Sequence, residues 1–144
     1  MVLKVVPGDF PMNRCVVVAD DDPSVVSLVK LRLGLAQYDV VGANDAVAAV
    51  AMVRAKMPAV VILDVQMPGG GGLSALGIIK SDPQLSGLPV MMLTGERNTE
   101  TVMLAMDGGA DDYMVKPFHP DALAQRVSRL VDRGAKAPAA TWEL

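Results

Sequence analysis

Five short, almost uninterrupted apolar runs constrain the fold of this chain more than any other feature. They read CVVVA, YDVVGA, AVVIL, PVMML and DYMVK, at residues 15–19, 38–43, 59–63, 89–93 and 112–116. Four of them are nearly continuous in apolar residues instead of alternating with polar ones, which is typical of strands covered on both faces, as in a parallel sheet.

Helices are predicted after each of these runs, because the intervening stretches are long and carry helix-end signals. Asp22 precedes Pro23 at one predicted start, Asn44 or Asp45 caps the next helix, and Gly108 follows the end of another. The predicted ranges are 23–35, 45–56, 72–81, 98–107 and 120–133. Five βα units with right-handed crossovers predict an α/β fold, a doubly wound five-stranded parallel sheet with helices on both faces.

Length and composition exclude several classes of protein. The chain has 144 residues, 51% of them hydrophobic, with a net charge of −3, one cysteine and one histidine. We expect one domain at 14–133, an N-terminal extension at 1–13 and a C-terminal tail at 134–144. The single cysteine excludes an internal disulfide and fits a reducing cytoplasm, and the lack of a basic patch or a long apolar run argues against direct nucleic-acid or membrane binding.

Polar side chains follow four of the apolar runs, where the predicted strands end. Asp20 and Asp21 follow the first run, Asp64 the third and Thr94 the fourth, while the fifth delivers Lys116. Because the carboxyl ends of parallel strands lie along one edge of a sheet, these residues are expected to converge on one pocket.

A cation would resolve the repulsion among the three carboxylates of this predicted pocket. Mg²⁺ is the best candidate because it prefers oxygen ligands and tolerates a phosphate oxygen as one of them. A carboxylate beside Mg²⁺ can act as a nucleophile toward phosphorus, while Lys116 and Thr94 would contact phosphoryl oxygens. Taken singly, each residue has an ordinary interpretation as a turn, cap or surface residue. The prediction rests on their occurring together at the ends of four predicted strands.

Four segments resemble the receiver domain of bacterial two-component response regulators, including the chemotaxis regulators. They are VVVADDDPSV, VVILDVQMPGGGGL, LPVMMLTG and GADDYMVKPF, and the resemblance covers residues 14–133. It implies a flavodoxin-like sheet with strand order 2-1-3-4-5.

The resemblance also implies the roles of the acidic residues. Asp64 is the expected phosphoryl acceptor. Asp21 is expected to bind Mg²⁺ directly and Asp20 through water, while Gln66 would offer its backbone carbonyl to the metal.

A second group of residues is expected to sense the phosphoryl group. Thr94 corresponds to the switch hydroxyl, Lys116 to the lysine of the family's Lys-Pro pair, and Tyr113 to the aromatic rotamer switch coupled to Thr94. The Lys116–Pro117 peptide bond is expected to be cis.

The implied function is a phosphorylation-activated switch, not an enzyme beyond promoting its own phosphorylation and dephosphorylation. A sensor histidine kinase or a histidine phosphotransfer protein would supply the phosphoryl group in the cytoplasm. A downstream protein would bind the fourth helix, fifth strand and fifth helix (98–107, 112–116 and 120–133), and a phosphorylation-dependent dimer is compatible with this. Apolar residues left exposed among Val102, Met103 and Met106 would mark that surface.

Several alternatives follow from the same sequence. The chain could be a receiver module from a longer response regulator or a hybrid histidine kinase, although 134–144 shows no recognisable output domain, which favours a stand-alone regulator. An FMN carrier of this fold would need flanking aromatic residues, which form only 3% of the chain. A phosphatase with an Asp nucleophile typically has a second Asp two residues on, where this chain has Gln66. A degenerate receiver scaffold would lack the acceptor or the lysine.

The glycine run at 69–72 raises a separate hypothesis, a loop that cradles phosphate. It lacks the Gly-Lys-Ser/Thr ending of a P-loop and follows Pro68, so we assign it a conformational role and expect greater mobility there than in the preceding strand. His119 is expected to act as a turn or cap residue.

Overall fold

The computed structural model describes residues 13–141, with side chains through Gly134. Five strands and five helices alternate along the chain. They are β1 (Cys15–Ala19), α1 (Pro23–Leu35), β2 (Asp39–Ala43), α2 (Ala46–Lys56), β3 (Val60–Leu63), α3 (Gly71–Ser81), β4 (Val90–Thr94), α4 (Thr99–Asp107), β5 (Asp112–Val115) and α5 (Pro120–Thr141).

All strand pairs are parallel, and the strand order is β2-β1-β3-β4-β5. This confirms the predicted α/β class, the doubly wound topology and the strand order implied by the resemblance. Within the described range, none of the helices combines the length and apolarity that crossing a membrane requires.

Two hydrophobic cores cover the two faces of the sheet, and the strands contribute alternate residues to each. In β1, Val16 and Val18 point into the core shared with α1 and α5, whereas Val17 points into the core shared with α2, α3 and α4. In β3, Val60 and Val61 divide in the same way. Because both faces are buried, the strands carry no polar alternation, which explains the continuous apolar runs of the sequence.

Local side-chain caps begin the helices where the sequence predicts them. The backbone N–H of Ser24 donates to Asp22 at 2.9 Å, and that of Ala48 donates to Asp45 at 2.7 Å. These bonds satisfy amide groups that a helix start leaves without partners. At the start of α5, the backbone N–H of Asp121 donates to Nδ1 of His119 at 3.1 Å, which confirms the cap role of that histidine.

The last helix is longer than predicted. It does not end at residue 133 but continues to Thr141, through a stretch predicted as tail. The segment 134–141 contains four alanines, and alanine has the highest intrinsic helix propensity, so the helix continues where the amphipathic pattern has already faded. Residues 1–12 of the predicted N-terminal extension and residues 142–144 of the predicted tail lie outside the described residues.

Candidate functional site

The backbone of the sheet positions three of the predicted site residues. The interstrand hydrogen-bond ladders continue one residue beyond the strand ends, so these residues are held by backbone bonds as well as by their side chains. The bonds run from the N–H of Asp20 to the carbonyl of Ala43 (3.0 Å), from Asp64 to Ala19 (3.0 Å) and from Lys116 to Thr94 (2.9 Å).

Three carboxylates meet at this edge. Each of Asp20, Asp21 and Asp64 offers an oxygen, and these oxygens lie within 4.8 Å of one another. Asp20 and Asp64 are buried, at 2% and 6% exposure, whereas Asp21 faces solvent. Clustered carboxylate oxygens with one open side are a donor set that fits a hard divalent cation such as Mg²⁺.

Lys116 is the positive charge within this group. Its Nζ lies 2.6 Å from Oδ2 of Asp20 and 3.1 Å from Oδ2 of Asp64. Burial alone would lower the pKa of Lys116, but the hydrogen bonds to the two carboxylates outweigh it and raise that pKa above its ordinary value. Lys116 thus pairs with two of the three clustered carboxylates, so the site retains negative charge.

The charged form of Asp20 is destabilised in this arrangement. Burial raises the pKa of its carboxyl above the ordinary value, and the nearby charge of Asp64 acts in the same direction. The hydrogen bonds that Asp20 accepts from Lys116 and from the backbone N–H of Asp22 lower the pKa again without cancelling the burial. A cation beside Asp20 would relieve the remaining cost.

A chain of hydrogen bonds through Glu96 connects Thr94 to Tyr113. The backbone N–H of Glu96 donates to the Thr94 hydroxyl oxygen at 3.3 Å, and the Tyr113 hydroxyl donates to the backbone carbonyl of Glu96 at 2.7 Å. Thr94 is buried at 1% exposure. Burial raises the pKa of Tyr113, and the charges of Glu96 and Asp64 contribute to the same shift.

Gln66 lies across the mouth of the site. Its backbone N–H donates to Oδ1 of Asp64 at 3.3 Å, and its side-chain amide donates to the carboxylate of Glu96. Glu96 also accepts from the Asn98 amide at 3.2 Å. The sequence alone does not bring Glu96 into contact with the predicted site residues. Its place between Thr94, Tyr113 and Gln66 depends on contacts across two loops, which the sequence pattern does not reveal.

The glycine run shapes the turn that follows Asp64. Gly69, Gly70 and Gly71 have φ of +81°, +102° and +82°, a region that side-chain-bearing residues rarely adopt. A Cβ on Gly72 would lie 2.0 Å from the carbonyl oxygen of Asp64, so the start of α3 contacts the backbone of Asp64 directly. These glycines are therefore required by backbone geometry; their greater mobility stays a prediction.

Five of the seven predicted site residues line one open cavity of about 390 Å³. Asp20 and Tyr113 lie outside it, and Tyr113 is linked to it through Glu96. The walls of the cavity come from the carboxyl ends of the strands and from the β3–α3 and β4–α4 loops. The lining residues are Asp21, Asp64, Gln66, Thr94, Gly95, Glu96 and Lys116. The Lys116–Pro117 bond is cis, as the resemblance implies.

Comparison with known proteins places this geometry in a family. The family model of the response regulator receiver domain matches residues 16–128. The DNA-binding response regulator MtrA of Mycolicibacterium smegmatis is 35% identical over 128 residues, covering 89% of this chain and 55% of that protein. RpaA of Synechocystis, a DNA-binding dual master transcriptional regulator, is 32% identical, covering 87% of this chain and 52% of that protein. The chain thus spans about half the length of these curated relatives.

A solved structure agrees in both sequence and fold. The receiver domain of the Francisella response regulator 1452 superposes with a TM-score of 0.77 at 32% identity, over 84% of this chain and 98% of that one. With the family model, the relatives and the site geometry in agreement, this chain belongs to the receiver domains of two-component response regulators.

Proposed function

We propose that Asp64 accepts a phosphoryl group and that this modification switches the domain between two signalling states. The observation that carries the proposal is the placement of Asp64. Its buried carboxylate lies 3.1 Å from the ammonium group of Lys116 and within 4.8 Å of oxygens of Asp20 and Asp21. Phosphoryl transfer depends mainly on positioning and on charge stabilisation, and this arrangement supplies both.

The acidic residues are proposed to hold Mg²⁺, with Asp21, Asp20, Asp64 and the backbone carbonyl of Gln66 as its ligands. When bound, the metal supplies charge stabilisation to the phosphoryl oxygens. Lys116 neutralises a further oxygen of the phosphoryl group. Because Lys116 already bridges Asp20 and Asp64, it needs only a small movement to exchange a carboxylate partner for a phosphoryl oxygen.

Thr94 and Tyr113 are proposed to transmit the change. In this structure the Thr94 hydroxyl oxygen accepts from Glu96. A phosphoryl oxygen would attract the hydroxyl as a donor, which biases the β4–α4 loop that carries Glu96 and therefore the Tyr113 hydroxyl bonded to it. A ligand shifts an equilibrium only through contacts that differ between the two states. In the proposed switch, the bonds of Thr94 and Tyr113 to Glu96 are those contacts.

The downstream partner is proposed to bind the surface of α4, β5 and α5. On α4, Met103, Leu104 and Met106 are 57%, 54% and 45% exposed, so this helix presents more apolar surface than its own packing uses. We infer that a protein partner covers this surface, or a second copy of the chain in a phosphorylation-dependent dimer.

The phosphoryl donor is proposed to be a sensor histidine kinase or a histidine phosphotransfer protein in the cytoplasm. Receiver domains take their phosphoryl groups from histidine kinases. On α1, which begins two residues after Asp21, Leu28, Leu31 and Leu35 are exposed along one face. A protein donor must bring its phosphohistidine to Asp64, and this apolar face next to the acidic group suits its docking.

Intact-mass measurement tests the proposed acceptor. The purified chain is incubated with phosphoramidate and Mg²⁺, quenched in acid and weighed. We expect one added phosphoryl group that is stable in acid, labile in alkali and absent when EDTA replaces Mg²⁺. Asp64→Asn should abolish the adduct, whereas Asp39→Asn, at the opposite edge of the sheet, should keep it. An unchanged yield in Asp64→Asn would refute the assignment.

A further inference from the structure

An apolar cavity lies at the amino ends of the strands, on the opposite side of the sheet from the acidic group. It has a volume of about 240 Å³. Its walls come from the residues that precede β3 and β4 and from α5. The apolar side chains that line it are those of Pro58, Ala59, Leu88, Pro89 and Val131. None of the roles assigned above uses these residues.

Polar groups at this cavity are already bonded within the chain. Among the described residues that line it, Asn13 alone has a polar side chain. Its amide donates to the carbonyl of Met57 at 2.8 Å, and its oxygen accepts from the backbone N–H of Cys15 at 3.1 Å. The carbonyl of Pro89 accepts from the N–H of Val61 at 2.9 Å. A polar ligand would therefore gain little here, whereas an apolar group would gain from leaving water.

The described part of the chain begins at this cavity, because Asn13 is its first residue and lines the cavity wall. Residues 1–12 lead directly into Asn13, and Phe10 is their only aromatic residue. Three residues span at most about 10 Å, so Phe10 is tethered within reach of the cavity. Pro11 follows Phe10 and favours an extended backbone at residue 10, which suits a short reach across the cavity mouth.

The size of the cavity suits an aromatic ring. An apolar protein cavity of about 150 Å³ is large enough to bind benzene. This cavity, at about 240 Å³, has room for a phenyl ring and its methylene group. A short tether also gives the ring a millimolar effective concentration at the cavity, which favours it over the same segment of a second copy in dilute solution.

We propose that the side chain of Phe10 docks in this cavity and fastens the N-terminal segment, residues 1–12, to the amino ends of the strands. The docked ring would contact Leu88 and Pro89 before β4, Ala59 before β3 and Val131 of α5. It would thereby join the sheet to the second half of α5. This role is independent of the proposed phosphorylation of Asp64.

Urea unfolding of the full chain tests the docking. We expect Phe10→Ala to raise the unfolding equilibrium constant about tenfold, because a buried aromatic side chain is lost. Phe10→Leu should recover most of that loss, since leucine is also apolar and fits the same cavity. Val2→Ala is the matched control, because it shortens an apolar side chain near the start of the same segment. It should unfold like the wild type.

A double-mutant cycle with the cavity wall identifies where Phe10 packs. In the Leu88→Ala background, Phe10→Ala should raise the unfolding constant by only about two- to threefold, because part of its contact surface is already gone. No effect of Phe10→Ala in the wild type, or the same effect in both backgrounds, would overturn the proposal.

Protein concentration distinguishes docking within one chain from docking between two copies. The stability difference between the wild type and Phe10→Ala should stay constant over about a hundredfold range of protein concentration. A difference that grows with concentration would mean that the segment of a second copy fills the cavity, and the proposed intramolecular docking would be wrong.

Discussion

The two edges of the sheet handle buried charge in opposite ways. At the carboxyl edge, three carboxylates cluster and Lys116 pairs with two of them, Asp20 and Asp64. Their negative charge exceeds what the neighbouring side chains neutralise, and the pKa of Asp20 is raised as a result of its burial. The side chains at this edge therefore leave part of its negative charge without a counter-charge.

At the amino edge, charged groups have partners from the chain itself. Lys80 donates to the carbonyls of Ser86 and Leu88 and to Asp111, and Asp111 also accepts from the backbone N–H of Val90 at 2.8 Å. Gly109 lies against the alkyl part of Lys80, with φ of +102°. Each charge is both neutralised and hydrogen-bonded, so this cluster needs no ligand.

Arg14 makes a second set of stabilising contacts at the amino edge. Its guanidinium stacks 3.9 Å from the ring centre of Tyr38 and donates to backbone carbonyls at the end of α1. These carbonyls belong to the helix end, where no intrahelical partner is available. The difference between the edges teaches that the amino edge satisfies its own charges, while the carboxyl edge keeps unbalanced charge that the proposed cation and phosphoryl group would use.

The largest expected effect is that of Gly72→Ala, at the carboxyl edge. The new Cβ would lie 2.0 Å from the carbonyl oxygen of Asp64, so the turn must move. We expect a loss of about 3 kcal/mol in the free energy of unfolding and a large loss of phosphorylation, because the clash displaces Asp64, the proposed acceptor. Urea unfolding and intact-mass measurement report the two effects.

Gly77→Ala is the control for this prediction. It lies in the same helix, and a Cβ there has no neighbour within 4 Å. Because alanine has a higher helix propensity than glycine, the substitution should stabilise the chain by about 1 kcal/mol and leave phosphorylation intact. Wild-type stability and phosphorylation in Gly72→Ala would show that the turn tolerates a side chain, and our account of the glycine run would be wrong.

A smaller effect is expected for Asp111→Ala, at the amino edge. The substitution removes the acceptor of the Val90 N–H and the partner of Lys80. We expect a loss of about 2 kcal/mol, because the buried amide of Val90 loses its acceptor and the half-buried ammonium of Lys80 loses its carboxylate, keeping only its carbonyl acceptors. The yield of phosphorylation should stay unchanged, in contrast to Gly72→Ala.

Asp107→Ala serves as the reference for Asp111→Ala, since it removes an exposed carboxylate at the end of α4. Its unfolding midpoint should match that of the wild type. If Asp111→Ala reduced phosphorylation as strongly as stability, the two edges would be coupled. Our assignment of stability to the amino edge and of phosphorylation to the carboxyl edge would then be wrong.

The fold could be predicted from the sequence because its determinants are local. The runs VVV and VVI indicate strands with two covered faces, and Asp22 followed by Pro23 marks a helix start. The ends of strands were predicted to within one or two residues. The end of α5 was not, because the amphipathic pattern stops near Val131 while alanine-rich sequence continues the helix to Thr141.

The same distinction applies to the candidate site: some of its residues follow from the sequence and the topology, and others depend on how the loops pack. Asp20, Asp64 and Lys116 lie directly at strand ends, so topology alone predicts that they converge. The place of Glu96 between Thr94 and Tyr113 depends on how two loops fold back over the sheet.

The smallest expected effect is the pH dependence of the stability of Asp20→Asn in the presence of EDTA. It is also the most direct test of the difference in charge balance between the two edges of the sheet. The folded-state pKa of Asp20 is raised above its unfolded value, so the folded chain binds this proton more tightly than the unfolded chain. Ionising Asp20 therefore costs stability. The cost is absent below the unfolded pKa, grows as the pH rises, and is complete above the folded pKa.

Asp20→Asn removes this cost, so without divalent ions we expect it to be more stable than the wild type at neutral pH. The advantage should shrink toward zero as the pH falls to the ordinary range of an aspartate. Asp39→Asn, an exposed residue of the amino edge, should show no such advantage. Urea midpoints across the pH range measure the difference. A neutral-pH loss of stability in Asp20→Asn would mean that the ion pair with Lys116 outweighs burial, and that the carboxyl edge is as self-sufficient as the amino edge.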